Sequence, residues 1–270
     1  MITLNYNELL KKVPEKLSKA TIFKTAGTKL HGEIVIGCGQ AQNIKERVSV
    51  FAPQNILLLT DNTIIDLELH KIILDSLNDE FINIDIFNEI EPEPKIKTAR
   101  KIQQIVKQNN YQLIIGLGGG SVMDMAKTAS IMATNPGDIE DYMTGTPLSN
   151  KGLSGILIPT TSGTGSEVSP YIVLSKEEQK LFINDPHVYA TVALIDPLLT
   201  VTMPPRVTAS TGLDALSHAV EGVIANRNPL TEALSTKSVE YVFDYLERAY
   251  QDGSDLEARY YMSFASVLGM

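Results

Sequence analysis

Residues 112–127, QLIIGLGGGSVMDMAK, combine an apolar strand, a glycine-rich turn and the first residues of a helix. Glycines at such a turn let backbone N–H groups approach a phosphate closely, and the helix N-terminus favours its negative charge. The turn departs from the usual dinucleotide fingerprint G-x-G-x-x-G, because Ser121 stands where the third glycine is needed. We interpret it as a phosphate-binding loop, with a closely packed strand–helix turn as the alternative.

Strand-like apolar runs alternate with segments of helical spacing on both sides of this turn. Strands are predicted at 55–60, 82–87, 112–116, 155–159 and 191–196. Helices are predicted at 63–78, 95–109 and 121–134. This alternation, with nearly continuous apolar strands, is typical of a parallel sheet covered by helices on both faces. Ligands bind such α/β sheets at the carboxyl ends of the strands, so we expect the site there.

The chain changes character after Pro197, where the strand-like runs end. A Pro-Pro pair at 204–205 breaks the chain, and three helices are predicted near 206–225, 229–250 and 254–270. The predicted organisation is an N-terminal extension over residues 1–25, an α/β dinucleotide-binding domain over 26–200, and the beginning of an all-α domain over 201–270.

The N-terminal extension contains a basic amphipathic segment, residues 7–19. Its apolar residues recur at helical spacing, and Pro14 predicts a kink. We expect this helix to cap the domain or to fray at the terminus, with a docking or targeting helix as the alternative. Residues 20–37 are predicted to form a hairpin with Gly27 near its turn.

Composition excludes several classes of protein. The 270 residues are 43% hydrophobic and 20% charged, which is typical of a globular chain and not of a disordered one. A net charge of −9 argues against general nucleic-acid binding, since an acidic chain repels phosphate backbones. The single Cys38 excludes an internal disulfide and is expected to be a small buried side chain. No apolar run approaches about 18 residues and the first residues lack a secretory signal, so we expect a cytoplasmic protein without a membrane partner.

Two further strand ends carry side chains suited to a ligand. Asp61 follows the strand at 55–60, where a carboxylate can accept hydrogen bonds from ribose hydroxyls and would repel a 2′-phosphate. A helix N-cap is an equal alternative for Asp61. The loop PTTSGTGSE, residues 159–167, offers hydroxyl groups and glycines at another strand end. Because three strand ends share such chemistry, we interpret this edge of the sheet as a dinucleotide-binding site.

Asp214 and His218 are four residues apart in the first predicted helix of the C-terminal region. This spacing places a carboxylate and an imidazole on one helical face, where they could share a divalent metal. An ordinary Asp–His ion pair or a buried histidine is the alternative, because metals are seldom held by only two protein ligands.

Four motifs, in order and at compatible spacing, make the chain resemble the iron-containing, or group III, alcohol dehydrogenase family of the dehydroquinate synthase-like superfamily. They are GGGSVMDMAK at 118–127, PTTSGTGSEV at 159–168, LIDPLLTVTMPP at 194–205 and GLDALSHAVEG at 212–222. The resemblance covers roughly residues 30–270. It implies a dinucleotide-binding domain, a helical domain that holds a metal and the substrate, and an active site in the cleft between them.

The resemblance also implies roles for individual residues, with NAD as the cofactor. The positions that match cofactor contacts are Asp61, Gly119, Gly120, Ser121, Asp124, Thr160, Thr161, Thr164 and Lys180. Within this set, Asp61 would favour NAD over NADP, and Lys180 would lie near the nicotinamide ribose. Asp214 and His218 match two ligands of a divalent metal, iron or zinc. Beyond these metal ligands, no catalytic residue stands out.

The chain departs from the family in two places. Family members have two further metal-binding histidines downstream of the segment that resembles 260–270, and this sequence stops before them. We therefore expect an incomplete metal site and helical domain, in a fragment or a naturally shortened protein. Glu93 stands where several relatives carry Asn in the cofactor groove.

The sequence thus predicts an NAD-dependent alcohol dehydrogenase or aldehyde reductase, with metal-assisted hydride transfer between a small alcohol and nicotinamide. We expect a small-molecule alcohol or aldehyde as substrate, a homo-oligomer, and no nucleic-acid or membrane partner. A catalytically incompetent nucleotide-binding or assembly module is the alternative, motivated by the missing ligands and the amphipathic start. A metal-dependent lyase similar to dehydroquinate synthase is a third possibility, although the Asp-x-x-x-His pair suits the dehydrogenases better.

Overall fold

A seven-stranded sheet forms the centre of the part of the chain that the computed structural model describes, residues 5–24, 32–78, 80–225 and 228–270. In spatial order its strands are β1 (Thr21–Lys24), β2 (Glu33–Ile36), β9 (Val192–Ile195), β6 (Ser154–Pro159), β5 (Leu113–Gly118), β3 (Asn55–Leu59) and β4 (Asn83–Phe87). Neighbouring strands are parallel except for β1 and β2, which are antiparallel. The predicted parallel sheet and N-terminal hairpin are therefore confirmed, although Gly27 lies outside the described residues.

Helices cover both faces of this sheet, as predicted. In chain order they are α1 (Tyr6–Lys12), α2 (Glu15–Ser18), α3 (Lys45–Val48), α4 (Asn62–Asp66), α5 (Leu69–Ser76), α6 (Ile96–Gln108), α7 (Gly120–Thr134), α8 (Ile139–Met143), α9 (Pro205–Ala225), α10 (Pro229–Gln251) and α11 (Leu256–Gly269). Within β3, Leu57 and Leu59 pack with α6–α8, whereas Ile56 and Leu58 pack with α1–α5. The strands are nearly continuous apolar runs because successive side chains point to opposite faces and both faces are buried.

The prediction of one helix at 63–78 is wrong. Two helices, α4 and α5, occupy this segment, and Glu68 between them adopts the left-handed conformation with φ of +59°. The N–H of Leu67 closes α4 by donating to carbonyls of its last turn. The apolar residues keep helical spacing across the break because both helices bury side chains, such as Ile64 and Ile73, against the same face of the sheet.

An antiparallel hairpin follows β6 that the sequence did not predict. Its strands are β7 (Tyr171–Lys176) and β8 (Gln179–Asn184). In β7, Ile172 and Leu174 are buried and the residues beside them are more exposed, which is the alternation of a half-buried strand. The alternation is present in the sequence, but a short strand apart from the main β–α alternation is hard to distinguish from a loop. The hairpin bears on function because it carries Lys180.

Three long helices, α9, α10 and α11, complete the described chain and confirm the predicted helical C-terminal region. Their common core contains small and medium side chains, including Ala215 of α9, Val242 of α10 and Ala265 of α11. Small side chains at these positions let the three helices pack closely against one another. Among the described helices, none is long and apolar enough to cross a membrane.

The N-terminal helices pack against the α/β region. Tyr6 and Leu17 are buried in the core cluster that also contains Ile56 and Leu58 of β3. Pro14 separates α1 from α2, as predicted. The Tyr6 hydroxyl donates a hydrogen bond to the buried Asp196, beside the end of β9. Strand β1, at the edge of the sheet, lies within residues 1–25, which were predicted to be an N-terminal extension. The domain boundaries predicted at residues 26 and 201 stay predictions.

Candidate active site

The glycine-rich turn lies at the carboxyl end of β5, where Gly119 is the N-cap of α7. The loop after β6 packs directly on this turn: a Cβ on Gly120 would lie 2.7 Å from Cγ2 of Thr164, and one on Gly119 would lie 3.6 Å from Thr161. The missing side chains therefore leave room for the second loop beside the first turn of the helix. The first backbone N–H groups of a helix have no partner within the helix, so the start of α7 suits an anion.

A cleft of about 940 Å³ opens on this turn. The predicted cofactor residues that line it are Asp61, Gly119, Gly120, Ser121, Thr161 and Thr164. Its far wall is formed by Val207, Ser210 and Thr211 of α9. The structure thus brings three separate strand ends and the helical region around one space, which is large enough for a ligand of dinucleotide size.

The structure confirms one of the two roles that the sequence left open for Asp61, the helix cap, and the contact with a ribose stays a prediction. Its Oδ1 accepts a hydrogen bond from the N–H of Ile64 at 3.0 Å and caps α4. The same residue lines the cleft at the end of β3. A capped helix therefore holds the carboxylate at the position where a ribose hydroxyl could donate to it.

A second cavity of about 470 Å³ shares Gly120, Ser121 and Thr164 with the cleft. The predicted residues that line it in addition are Asp124, Lys180, Asp214 and His218. The predicted cofactor and metal residues therefore meet along one continuous surface. The predicted Thr160 is buried and is not among the residues that line either cavity. Its N–H donates to the Gly118 carbonyl at 2.8 Å.

Asp214 and His218 face this second cavity from one side of α9, with Oδ1 and Nε2 3.5 Å apart. The hydrogen bond to Asp214 raises the pKa of His218, and burial opposes this shift. One carboxylate oxygen and one imidazole nitrogen fit a divalent transition metal as donors. Within the described residues, no group of three or more His, Cys, Asp or Glu side chains could hold a metal. The role of Asp214 and His218 as metal ligands stays a prediction.

Lys180 enters the second cavity from β8, where its ammonium lies 3.9 Å from Oε1 of Glu93. Both side chains are largely exposed, so the pair can open for a ligand at little cost. Glu93 adopts a left-handed conformation with φ of +55°, which is uncommon for a glutamate. The hairpin that was not predicted is therefore the element that brings Lys180 to the site.

Asp124 connects α7 to the neighbouring loop and hairpin. Its Oδ1 accepts from the Ser166 hydroxyl at 2.6 Å and lies 3.0 Å from the Lys127 ammonium, and its Oδ2 accepts from the N–H of Val173 at 3.0 Å. Both carboxylate oxygens of Asp124 therefore have partners within the protein. Its predicted contact with the cofactor stays a prediction.

Lys127 is a buried residue of this site to which the sequence analysis assigned no role. Its ammonium donates to the carbonyl and hydroxyl of Ser166, at 3.0 and 2.6 Å, and to the Tyr171 carbonyl. Burial lowers the pKa of Lys127, and the charge of Asp124 opposes this shift. The i,i+3 spacing of Asp124 and Lys127, just after the glycine turn, was the available signal.

Glu167 follows Ser166 and is also buried. Burial raises its pKa to about 7, because desolvation disfavours the charged form. The Glu167 N–H and the charge of Lys127 both oppose this shift. The loop after β6 therefore carries a buried carboxyl group, that of Glu167, with a pKa near neutral pH.

Comparison with known proteins identifies the family. The model for "Iron-containing alcohol dehydrogenase" matches residues 32–197, and that for "Fe-containing alcohol dehydrogenase family, C-terminal" matches residues 208–270. The chain belongs to the iron-containing alcohol dehydrogenase family. This confirms the predicted family, and the matched ranges include the glycine-rich turn and the Asp214–His218 pair.

Proteins similar to this chain include long-chain-alcohol dehydrogenase 1 of Geobacillus thermodenitrificans, which is 38% identical over 86% of this chain and 60% of its own length. NAD-dependent methanol dehydrogenase of Bacillus methanolicus is 31% identical over 87% of this chain and 62% of its own length. The chain thus spans about 60% of the length of these curated relatives.

Among solved structures, sulfoacetaldehyde reductase from Bifidobacterium kashiwanohense in complex with NAD+ superposes with a TM-score of 0.84. It is 30% identical, with 92% of this chain and 66% of that chain covered. A 1,3-propanediol oxidoreductase gives a TM-score of 0.83 at 30% identity, over 93% and 65% of the two chains. These superpositions confirm the fold class, a parallel α/β region followed by a helical region.

Proposed function

We propose that this protein is an NAD-dependent alcohol dehydrogenase or aldehyde reductase that exchanges hydride between a small alcohol and nicotinamide. One observation carries the proposal. The cleft beside the glycine turn continues, through Gly120, Ser121 and Thr164, into the cavity that Asp214 and His218 face. A dinucleotide and an alcohol substrate would need such adjoining spaces, because hydride transfer requires the two reacting carbons in contact.

The named activities of the relatives support this proposal. They include NAD-dependent methanol dehydrogenase and long-chain-alcohol dehydrogenase, and one structural relative is a sulfoacetaldehyde reductase with NAD+ bound. Each is an oxidoreductase that acts on an alcohol or an aldehyde. The chemistry shared by these names, and not any one substrate, is what we transfer to this chain.

The protein's own residues would bind and orient the reactants. The N–H groups at the start of α7 would bind the diphosphate, and the Asp61 carboxylate would accept hydrogen bonds from the adenosine ribose. Asp214 and His218 would contribute ligands to a divalent metal, iron or zinc. When bound, NAD supplies the hydride acceptor and the metal a Lewis acid for the substrate oxygen. The wall formed by α9 would exclude water from the reacting carbons.

We infer a small-molecule alcohol or aldehyde as the substrate, a cytoplasmic location and a homo-oligomeric state. Support for self-association comes from apolar side chains on the helices, because Leu230 and Phe243 of α10 are 69% and 73% exposed. Exposed apolar surface of this kind favours association. Native mass spectrometry tests the oligomeric state, and a strictly monomeric protein would contradict it.

A second candidate function is a nucleotide-binding or assembly module without catalysis. The observation that favours it is the ligand set of the metal, which within the described residues consists of Asp214 and His218 alone. A transition metal in a catalytic site usually has about three protein ligands. Cofactor binding without metal binding would distinguish this module from the dehydrogenase.

Calorimetric titration of the protein with NADH, with and without Fe²⁺ or Zn²⁺, tests the proposal. Binding of NADH together with one metal ion supports the dehydrogenase. Binding of NADH without stoichiometric metal supports the catalytically incompetent module. Binding of neither would overturn the proposed function and leave only membership of the family.

A further inference from the structure

The cleft beside the glycine turn is lined on one side by carboxylates. Among the described residues that line it, Asp61, Glu89 and Glu91 are acidic, and none is Lys, Arg or His. Asp61 follows β3 and Glu89 follows the neighbouring strand β4, and their backbones pair in an isolated antiparallel bridge. The Glu89 side chain therefore starts from a backbone position directly beside Asp61.

Each of these carboxylates has a different partner. Asp61 caps α4, and Glu91 accepts a hydrogen bond from the Thr98 hydroxyl at 2.9–3.0 Å. Oε2 of Glu89 instead accepts from the ammonium of Lys101, on α6, at 2.8 Å. Both members of this ion pair are more than half exposed. Glu89 thus pairs with the Lys101 ammonium, which without this carboxylate would be available to an anion beside residue 89.

We propose that the Glu89–Lys101 pair determines which dinucleotide the cleft accepts, because Glu89 binds the Lys101 ammonium and so withholds it from a 2′-phosphate beside Asp61. This inference rests on the proposed function, since it concerns the cofactor of the same site. It assigns discrimination against NADP(H) to a pair of residues and not to Asp61 alone.

The physical reason is charge. A phosphate monoester carries a charge of about −1.5 to −2 at neutral pH, whereas a ribose hydroxyl is neutral. A 2′-phosphate placed near Asp61 would be repelled by that carboxylate and by Glu89, within the screening length of about 8 Å at physiological salt. With Glu89 neutral, one repulsive charge disappears and the Lys101 ammonium becomes available to pair with the phosphate. NADH has no group at that position that would respond.

The test compares the affinities of NADH and NADPH for the whole protein, measured by fluorescence titration at low salt. The variants are Glu89→Gln, which keeps the shape of the side chain, and Glu89→Gln combined with Lys101→Met. The matched control is Glu68→Gln, because Glu68 forms a similar exposed pair with Lys71 and does not line the cleft.

We expect Glu89→Gln to raise the affinity for NADPH about tenfold relative to NADH, since the substitution removes one negative charge and thereby leaves the Lys101 ammonium without its carboxylate partner. The added Lys101→Met change should cancel most of that gain, and added salt should reduce it. Glu68→Gln should change neither affinity.

The inference is overturned if Glu89→Gln shifts the NADPH-to-NADH ratio no more than Glu68→Gln does, or if the double variant keeps the full gain. In both cases unchanged NADH binding shows that the fold and the proposed function stand. If the unchanged protein binds neither dinucleotide, the proposed function and this inference fall together.

Discussion

At the scale of single residues, the site depends on positions where side chains would not fit. The loop after β6 touches α9 at Gly163, where a Cβ would lie 2.7 Å from the Thr211 carbonyl oxygen and 2.9 Å from its Cα. These are backbone atoms of a long helix, which cannot turn aside as a flexible side chain can. Close contact at this glycine therefore sets the distance between the cofactor loop and the helix that carries Asp214.

We predict that Gly163→Ala lowers the free energy of unfolding by about 1–3 kcal/mol, because the added methyl group overpacks the contact with Thr211. Urea unfolding measures the change. Gly155→Ala is the matched control, since a Cβ at Gly155 meets no atom within 4 Å and the substitution should be close to neutral. Equal effects of the two substitutions would contradict the importance of the contact.

The metal ligands allow a second prediction at this scale. Asp214→Ala should abolish binding of Zn²⁺ or Fe²⁺ and leave the NADH affinity within about twofold, because the residue faces the second cavity and does not line the cleft. Calorimetry measures both ligands, and the exposed Asp244→Ala of α10 is the control. Parallel loss of metal and NADH binding would count against Asp214 as a ligand.

At the scale of elements, a polar cluster joins α7 to the loop and hairpin that follow β6. Lys127 and Asp124 of α7 bind Ser166 of the loop, and both reach the hairpin through the backbone of Tyr171 and Val173. Because Lys127 and Ser166 are buried, their polar atoms need hydrogen-bond partners within the protein. The cluster thus couples the helix behind the glycine turn to the hairpin that carries Lys180.

We predict that Lys127→Met destabilises the protein by about 3–5 kcal/mol, since it leaves Asp124 without its buried cation and removes the ammonium that donates to the Ser166 and Tyr171 carbonyls. Thermal unfolding gives the overall effect, and hydrogen exchange should rise in residues 166–174. Lys107→Met is the control, because Lys107 donates to the Gly137 carbonyl at an exposed position. An effect no larger than that of the control would show that the elements are held together by other contacts.

At the scale of the whole molecule, one buried carboxyl group links stability to pH. The pKa of Glu167 is about 7, raised by burial from 4.5. The folded protein therefore keeps this proton while the unfolded chain releases it. The stabilisation is fully present below about pH 4.5 and is lost as pH rises to about 7, where the folded form also ionises.

We predict that Glu167→Gln removes this part of the pH dependence. Relative to the unchanged protein, the variant should gain up to about 3 kcal/mol in the free energy of unfolding between pH 4.5 and pH 8. Urea unfolding at several pH values gives the difference, and the other titrating groups cancel in the comparison. A difference that does not vary with pH would mean that Glu167 titrates alike in the folded and unfolded states.

Much of the architecture could be predicted from local patterns. The central strands are buried on both faces, so their apolar runs are continuous and easy to recognise, as in LIIGLG at Leu113–Gly118. The glycine turn and the Asp214–His218 spacing are also local in sequence. The helix predicted at 63–78 was wrong because a break at Glu68 leaves the hydrophobic spacing unchanged.

Neighbours along the chain specify the alternating fold, the family and the residue types of the predicted site, so these could be predicted from the sequence. How the residues meet depends on the tertiary structure: Lys180 arrives on a hairpin, Lys127 is buried among four oxygen atoms, and Glu89 stands beside Asp61. Burial and pairing of such residues depend on segments distant in sequence, so no local pattern specifies them.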